Sequence, residues 1–317
     1  MATGTPRALT VCLVATRDDD PVPRALEALR HQHAGGDFDV VVVDASPAAR
    51  FTDLASDKRP PVSVVRGDPT ERRACWLNAA WQAAVGLGVA FLSPRLTPAP
   101  MWMDALSKAL ARGRPLVSAS VLPSTETVGE SGPLSYLLWA NERELALVSS
   151  DHMACLRDDL ARVGGWDETV DDDVADVDLA TRLVDSGVDP RWARHAVAYF
   201  DVAPAELSEM VRQRQQPLRS AAMLAAHPRA RARLLYGGVF WHRRHAEALL
   251  AVAGVVLAAR DRRAALLTLP WLHERLHLTP AAGGLRRRWF VLPGVFAFDV
   301  YDAALTTAAR VRPSTEP

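Results

Sequence analysis

Apolar and polar positions alternate in blocks along the first hundred residues. Leu9 to Ala15 is a continuous apolar run bounded by charge, the pattern of a strand buried on both faces. Asp18-Asp19-Asp20-Pro21 follows, and Asp before Pro signals a helix start. That helix is expected to reach about His33 with Leu26 and Leu29 inward, and to end at Gly35-Gly36. Phe38 to Val43, closed by Asp44, reads as a second buried strand, and Val62 to Val65 as a third. Thr70 to Val85 reads as a helix and Val89 to Leu92 as a fourth strand. Such alternation implies an α/β fold: a parallel sheet with helices on both faces. Ligands of these sheets bind beyond the carboxyl ends of the strands. Thr16-Arg17-Asp18, Asp44-Ala45-Ser46 and Ser93-Pro94-Arg95 therefore fall along one rim.

The pattern resumes with the apolar run Met153 to Leu156, which leads into a helix-like segment. Gly164-Gly165-Trp166-Asp167-Glu168 breaks it and an acidic cluster follows. After Asp176 and Asp178, Leu179, Leu183 and Val184 recur at helical spacing. This puts both acids in the first turn of a helix, where free N–H groups and the dipole favour carboxylates. Taken alone, capping explains them. Residues 133–148, with Tyr136 and Trp139, and residues 204–226, interrupted at Pro217, also read as helices.

Composition changes the picture little and charge distribution changes it more. The 317 residues are 49% hydrophobic and 23% charged, ordinary for a globular protein with one large or two smaller domains. The formal net charge of zero hides an asymmetry. Residues 150–211 hold 15 acids against 5 bases, and residues 212–288 hold 15 arginines against 3 acids. Cys12, Cys75 and Cys155 are scattered and odd in number, so they read as buried thiols in a reducing cytoplasm. The opening MATGTPRALT lacks the apolar core of a signal peptide. Arginine far exceeds lysine, which suggests a GC-rich bacterial genome.

Arg157 to Glu168, then Ala175-Asp176-Val177-Asp178-Leu179-Ala180-Thr181-Arg182-Leu183, then Gly187, resembles the family 2 glycosyltransferases of GT-A fold. Their segment reads "Gly-Gly-Phe-Asp-Glu" followed by "Glu-Asp-x-Asp-Leu-x-x-Arg-Leu". Their acidic pair supplies the base of inverting transfer, a role the resemblance gives to Asp176, helped by Asp178, although Ala175 replaces the Glu. It implies donor binding by Thr16, Arg17, Asp44, Arg72, Arg73, Asn78, Ser93 and Arg95, with Arg72, Arg73 and Arg95 toward a diphosphate. It places Asp151, His152 and Trp166 near the acceptor side. The family's carboxylate motif for a divalent metal, "Phe-Leu-Asp-x-Asp", is Phe91-Leu92-Ser93-Pro94-Arg95 here, and its usual later His is replaced by Tyr199. No carboxylate is left there for Mg²⁺ or Mn²⁺, so no metal ligand is expected. Two readings stay open. One is metal-independent transfer from a nucleotide-sugar to a hydroxyl of a lipid, polysaccharide, peptide or small molecule, with arginine neutralising the leaving diphosphate. The other is a catalytically inactive, glycosyltransferase-like scaffold or partner protein.

The resemblance covers residues 9 to 200, so residues 1–210 are expected to form the GT-A domain and 211–317 a basic helical appendage. Arg219 to Pro228 is similar to the tail of actinobacterial enzymes such as the mycofactocin-system glycosyltransferases. Ala246 to Ala259 and Ala264 to Leu272 fall short of the roughly 20 residues that span a bilayer. With Arg260 to Arg263 between them, Arg286 to Arg288 beyond and Trp at the edges, they suggest an interfacial hairpin at the inner face of the membrane. A nucleic-acid partner is not expected, because long aliphatic runs interleave the basic region. Arg312 to Pro317 reads as a disordered end.

Overall fold

The computed structural model describes residues 9–33, 37–128, 149–202, 220, 223–278 and 284–311. The helix end at Gly35-Gly36, the helix expected over 133–148, most of the one over 204–226, and the 312–317 end lie outside these residues.

The chain divides into two compact units. The first comprises residues 1–122 and 147–200. Its strands are β1 (Leu9–Ala15), β2 (Phe38–Asp44), β3 (Val62–Arg66), β4 (Gly88–Phe91), β5 (Leu96–Pro98), β6 (Pro115–Pro123), β7 (Met153–Leu156) and β8 (Asp189–Phe200). They form one sheet in the order β3-β2-β1-β4-β7-β6-β8-β5. β1 pairs in parallel with both β2 and β4, and β2 with β3. β7 runs antiparallel to β4 and β6, and β5 antiparallel to β8. The four parallel strands are those expected. The antiparallel half was not, because its pairings are set by distant partners. The mixed sheet is nonetheless the α/β architecture implied for a GT-A domain.

Helices α1 (Val22–Arg30), α2 (Arg73–Ala83) and α3 (Trp102–Leu110) connect the early strands. Leu26 and Leu29 are buried as expected, and they share one core with Val11, Leu13, Val40, Val42, Trp102 and Leu106. Burying each large apolar side chain contributes about 1.5–3 kcal/mol. From β1 the chain passes to β2 and β3 on one side, then returns to β4 on the other. The carboxyl ends of β1 and β4 therefore flank the switch point, where open α/β sheets hold ligands.

α5 (Arg157–Val163) follows β7, after the short helix α4 (Thr125–Val128), and α6 (Asp172–Asp185) precedes β8. Here the structure corrects the sequence reading. Asp171 is the N-cap of α6, and Asp172 and Asp173 fill its first turn. Asp176 and Asp178 lie deeper in the helix, so capping does not account for them.

The second unit comprises residues 123–146 and 201–317. Its two parts are tied where Val202 N donates to Thr127 Oγ1 (2.9 Å). Among its described residues are α4 and the helices α7 (Pro228–Leu234), α8 (Arg243–Leu257), α9 (Leu269–Leu278) and α10 (Gly284–Val311), with a 3₁₀ turn over Arg262–Thr268. Ala248, Ala251, Trp271 and Val295 form a small core. Trp271, expected at an interfacial edge, is instead buried edge-on against Phe296 at 4.8 Å. Its indole donates to the buried Asp299 (2.8 Å), which also accepts from Arg275 Nε (2.9 Å) and faces Arg244 Nε at 3.5 Å.

Removing that buried negative charge leaves the cations it faces without it. Asp299→Asn should cost about 3–5 kcal/mol. Urea or thermal unfolding checks this, and an unchanged midpoint would contradict the assignment.

Candidate active site at the switch point

The exit of β1 is organised by Asp20, a residue not singled out in the sequence. Pro21 occupies the cap position of α1 without a side-chain bond, so Asp20 does not start the helix. It turns back instead. Oδ2 accepts from Thr16 N (2.9 Å) and Arg17 N (3.0 Å), and Oδ1 accepts from Arg95 Nε (3.2 Å) and Nη2 (3.1 Å). One carboxylate, 6% exposed, thus ties the β1 exit to the β4 exit across the switch point. Arg95 is half-exposed beyond it. Arg17 leans on Asp19 through two 2.8 Å bonds at the surface, and this pairing holds the Asp19 carboxyl below its usual range.

Asp44, at the end of β2, is fully buried. Oδ1 accepts from Ser46 N (3.1 Å) and Ser46 Oγ (2.6 Å), and Oδ2 accepts from Phe51 N (2.9 Å). Arg66 caps the same turn by donating to the Asp44 and Ser46 carbonyls (2.8 Å each). Both Asp44 oxygens face this loop, so Asp44 shapes the rim from beneath.

The start of α2 meets the segment before β7 and the acidic helix. Asp176 Oδ2 accepts from Ser150 N (2.9 Å), Ser150 Oγ (2.8 Å) and Arg73 Nη1 (3.3 Å). Its Oδ1 accepts from Trp166 Nε1 (2.9 Å). Arg73 also donates to Asp151 Oδ1 (3.0 Å), and Asp151 O accepts from Ser93 N (2.8 Å). The network therefore brings Arg73, Ser93, Asp151, Trp166 and Asp176 together, and Arg95 joins through Ser93, whose Oγ accepts from Arg95 N (3.4 Å). Arg72 lies slightly apart, donating to the carbonyls of Thr169 (3.2 Å) and Val170 (3.4 Å). Asp178 points elsewhere. It pairs with Arg182 (2.8 Å), which also donates to the Val163 and Gly165 carbonyls.

The Gly-Gly-Trp loop is held by Asn78, one turn into α2 and buried. Its Oδ1 accepts from Trp166 N (2.9 Å) and Trp81 Nε1 (3.0 Å), while its Nδ2 donates to Trp166 O (2.9 Å) and Glu168 Oε1 (2.8 Å). The approach is so close that a Cβ on Gly165 would lie 2.4 Å from Asn78 Oδ1. Gly164 and Gly165 also have φ of +79° and +70°, the left-handed region. Trp166, thus placed, packs edge-on against Phe91 with centroids 4.8 Å apart.

His152 is buried beside this network, with Nδ1 3.5 Å from Ser118 Oγ. The sequence base rate favours a surface histidine. Burial pushes its pKa down. Cys12 and Cys155 are buried thiols as expected, whereas Cys75 is half-buried.

At the positions of the resembled metal motif the chain offers the Ser93 hydroxyl and the Arg95 guanidinium, and Arg95 occupies the nearby Asp20 carboxylate. Among the described residues no three His, Cys, Asp or Glu gather to hold a metal ion. Asp20 and Ser150 are the residues that sequence reasoning missed. An Asp just ahead of Pro, after a strand, was the only signal for Asp20.

Two outcomes follow. Gly165→Ala combines a left-handed residue with a collision at Asn78 and should cost about 2 kcal/mol or more; chemical denaturation reads it, and a loss of only a few tenths would reject the clamp. For His152, the unfolded imidazole binds its proton near pH 6.5 while the folded one resists to lower pH. Stability is therefore complete above about pH 6.5 and falls below it, and His152→Gln should flatten that fall in melts run across the range.

No protein-family model matches this sequence, and no curated protein matches it. Solved structures are similar to it. The mannosyltransferase PcManGT from Pyrobaculum calidifontis, in complex with GDP-Man and Mn2+, shares 20% identity over 98% of this chain and 88% of that one, with a TM-score of 0.49. S. aureus TarS 1-349 in complex with UDP shares 12% over 95% and 88%, with a TM-score of 0.46, and its complex with UDP-GlcNAc gives 12%, 95%, 89% and 0.44.

Proposed function

We propose that the protein is an inverting, metal-independent glycosyltransferase of the family 2 type, moving a sugar from a nucleotide-sugar to an acceptor hydroxyl. The observation that carries this reading is Arg95. It stands at the β4 exit, where the resembled motif has metal-binding carboxylates, and Asp20 holds it from the β1 exit. A guanidinium fixed at the switch point can stabilise the charge that develops on a departing diphosphate. Thr16, Arg17, Arg72 and Arg73 border the same rim, and Asp44 acts through the loop it builds. The donor unit, expected over residues 1–210, corresponds to the first compact unit, residues 1–122 and 147–200. Free thiols at Cys12, Cys75 and Cys155 support a cytoplasmic location.

In this reading the acceptor oxygen attacks the anomeric carbon as the carbon–oxygen bond to the diphosphate breaks. Asp176 receives the acceptor's proton. A carboxylate has about four acceptor positions. Asp176 Oδ2 takes three donors but Oδ1 takes Trp166 Nε1 alone, so Oδ1 retains capacity. Asp178 acts indirectly, by holding the Arg182 that donates to the Gly165 carbonyl, and Asp151 borders the acceptor side while the buried His152 and Trp166 act on it only through their neighbours.

One observation favours the alternative, a catalytically inactive scaffold: Asp176 and Arg95 are each already bonded within the protein. Thermal-shift titration with UDP-, GDP- and dTDP-sugars separates the two, since a ligand of the native state raises the melting point. Transfer predicts a shift with one nucleotide that a chelator leaves unchanged. Arg95→Gln should then lower kcat on the order of a hundredfold. No shift with any donor supports the scaffold, and a shift that requires Mn²⁺ overturns the role given to Arg95.

A further inference from the structure

The second unit carries an exposed apolar tip at the end of α8. The inner face of that helix is used up by Arg244, His245, Glu247, Ala248, Ala251 and Gly254, all buried. The chain then changes character. Val255 is 62% exposed, Val256 66% and Leu257 45%, and on the following turn Leu266 is 62% and Leu269 51% exposed. The apolar runs expected to lie wholly at an interface are thus divided: one part builds the core and the tip faces outward.

The tip is held in one shape. A Cβ on Gly254 would lie 2.9 Å from both Ala264 O and Leu267 Cβ, so the 3₁₀ turn packs directly on the helix backbone there. Asp261, the only acid in residues 255–269, is spent inside the turn, where its carboxylate accepts from Arg263 N (2.9 Å). Arg260, Arg262 and Arg263 are exposed around the apolar residues.

We propose that residues 255–269 are a docking surface for an anionic bilayer. The inference stands apart from the catalytic reading. Aliphatic side chains ringed by arginine fit the boundary between acyl chains and acidic headgroups. A second copy of the chain fits poorly, because a two-fold contact would set three arginines against the same three. Spanning is not involved: among the described residues no helix is long and apolar enough to cross a membrane.

The test is co-sedimentation of the full chain with phosphatidylcholine vesicles, with and without phosphatidylglycerol. Binding should require the anionic lipid and weaken with salt. The triple variant Arg260→Gln, Arg262→Gln, Arg263→Gln should bind on the order of a hundredfold more weakly. Val256→Glu with Leu266→Glu should abolish binding while leaving the melting point in place. If the glutamate pair disturbs folding, the arginine variant decides alone, since its side chains are exposed. Absence of binding to anionic vesicles overturns the proposal. So does equal binding by the arginine variant, or a wild-type dimer that the glutamate pair converts to a monomer.

Discussion

A single carboxylate must be neutralised, and much of the first unit is arranged to do it. Asp176 is 15% exposed and lies past the first turn of its helix, too deep to be served by free backbone N–H groups. Its donors come from elsewhere in the chain: the Ser150 backbone and hydroxyl, the Arg73 guanidinium and the Trp166 indole. Hydrogen bonds to charged groups contribute about 1.5–3 kcal/mol each, and an unmade one in a buried place costs about as much. Three segments far apart in sequence are therefore held in register by one charge. The segment before β7, the start of α2 and the Gly-Gly-Trp loop meet where they do because Asp176 draws on all three.

The second organising charge is Asp20, and it acts in a complementary way. It joins the two strands that flank the switch point through a backbone pair on one side and a guanidinium on the other. A sheet of this kind offers its widest opening between those strands. Here the opening is bridged by an ion pair whose cation is half-exposed and whose anion is buried. The guanidinium is therefore the more accessible partner of the pair.

What could be read from the sequence follows from the range of the forces involved. β1 to β4 were legible because a strand buried on both faces is a local apolar run, and Leu9–Ala15 fits its run residue for residue. β5 was not legible. It is three residues long, contains Pro98, and exists because β8 lies beside it at the sheet edge. The start of α6 was misplaced because the six acids from Asp167 through Asp176 offered many caps and periodicity alone could not choose among them. The candidate site was legible in part. The Gly-Gly-Trp loop and Asp176 stood out as a motif, and they do converge, whereas Asn78, expected to bind the donor, is buried and spends its amide on that loop. Asp20 escaped because its partners, the Thr16 and Arg17 amides and the Arg95 side chain, are fixed by the fold and leave no spacing to notice. The burial of His152 was hidden for the same reason.

The Asn78 clamp has a mechanical consequence. Its amide engages the loop with donor and acceptor at once, and one turn earlier on the same helix Arg72 and Arg73 grip the Thr169 carbonyl and Asp176. α2 is thus riveted at two heights to the same stretch of chain. A force applied at its first turn cannot rotate the helix without dragging the loop, since the rivets would have to shear together. Helix and loop behave as one lever, and any group that pushes on Arg73 pushes on Trp166 as well.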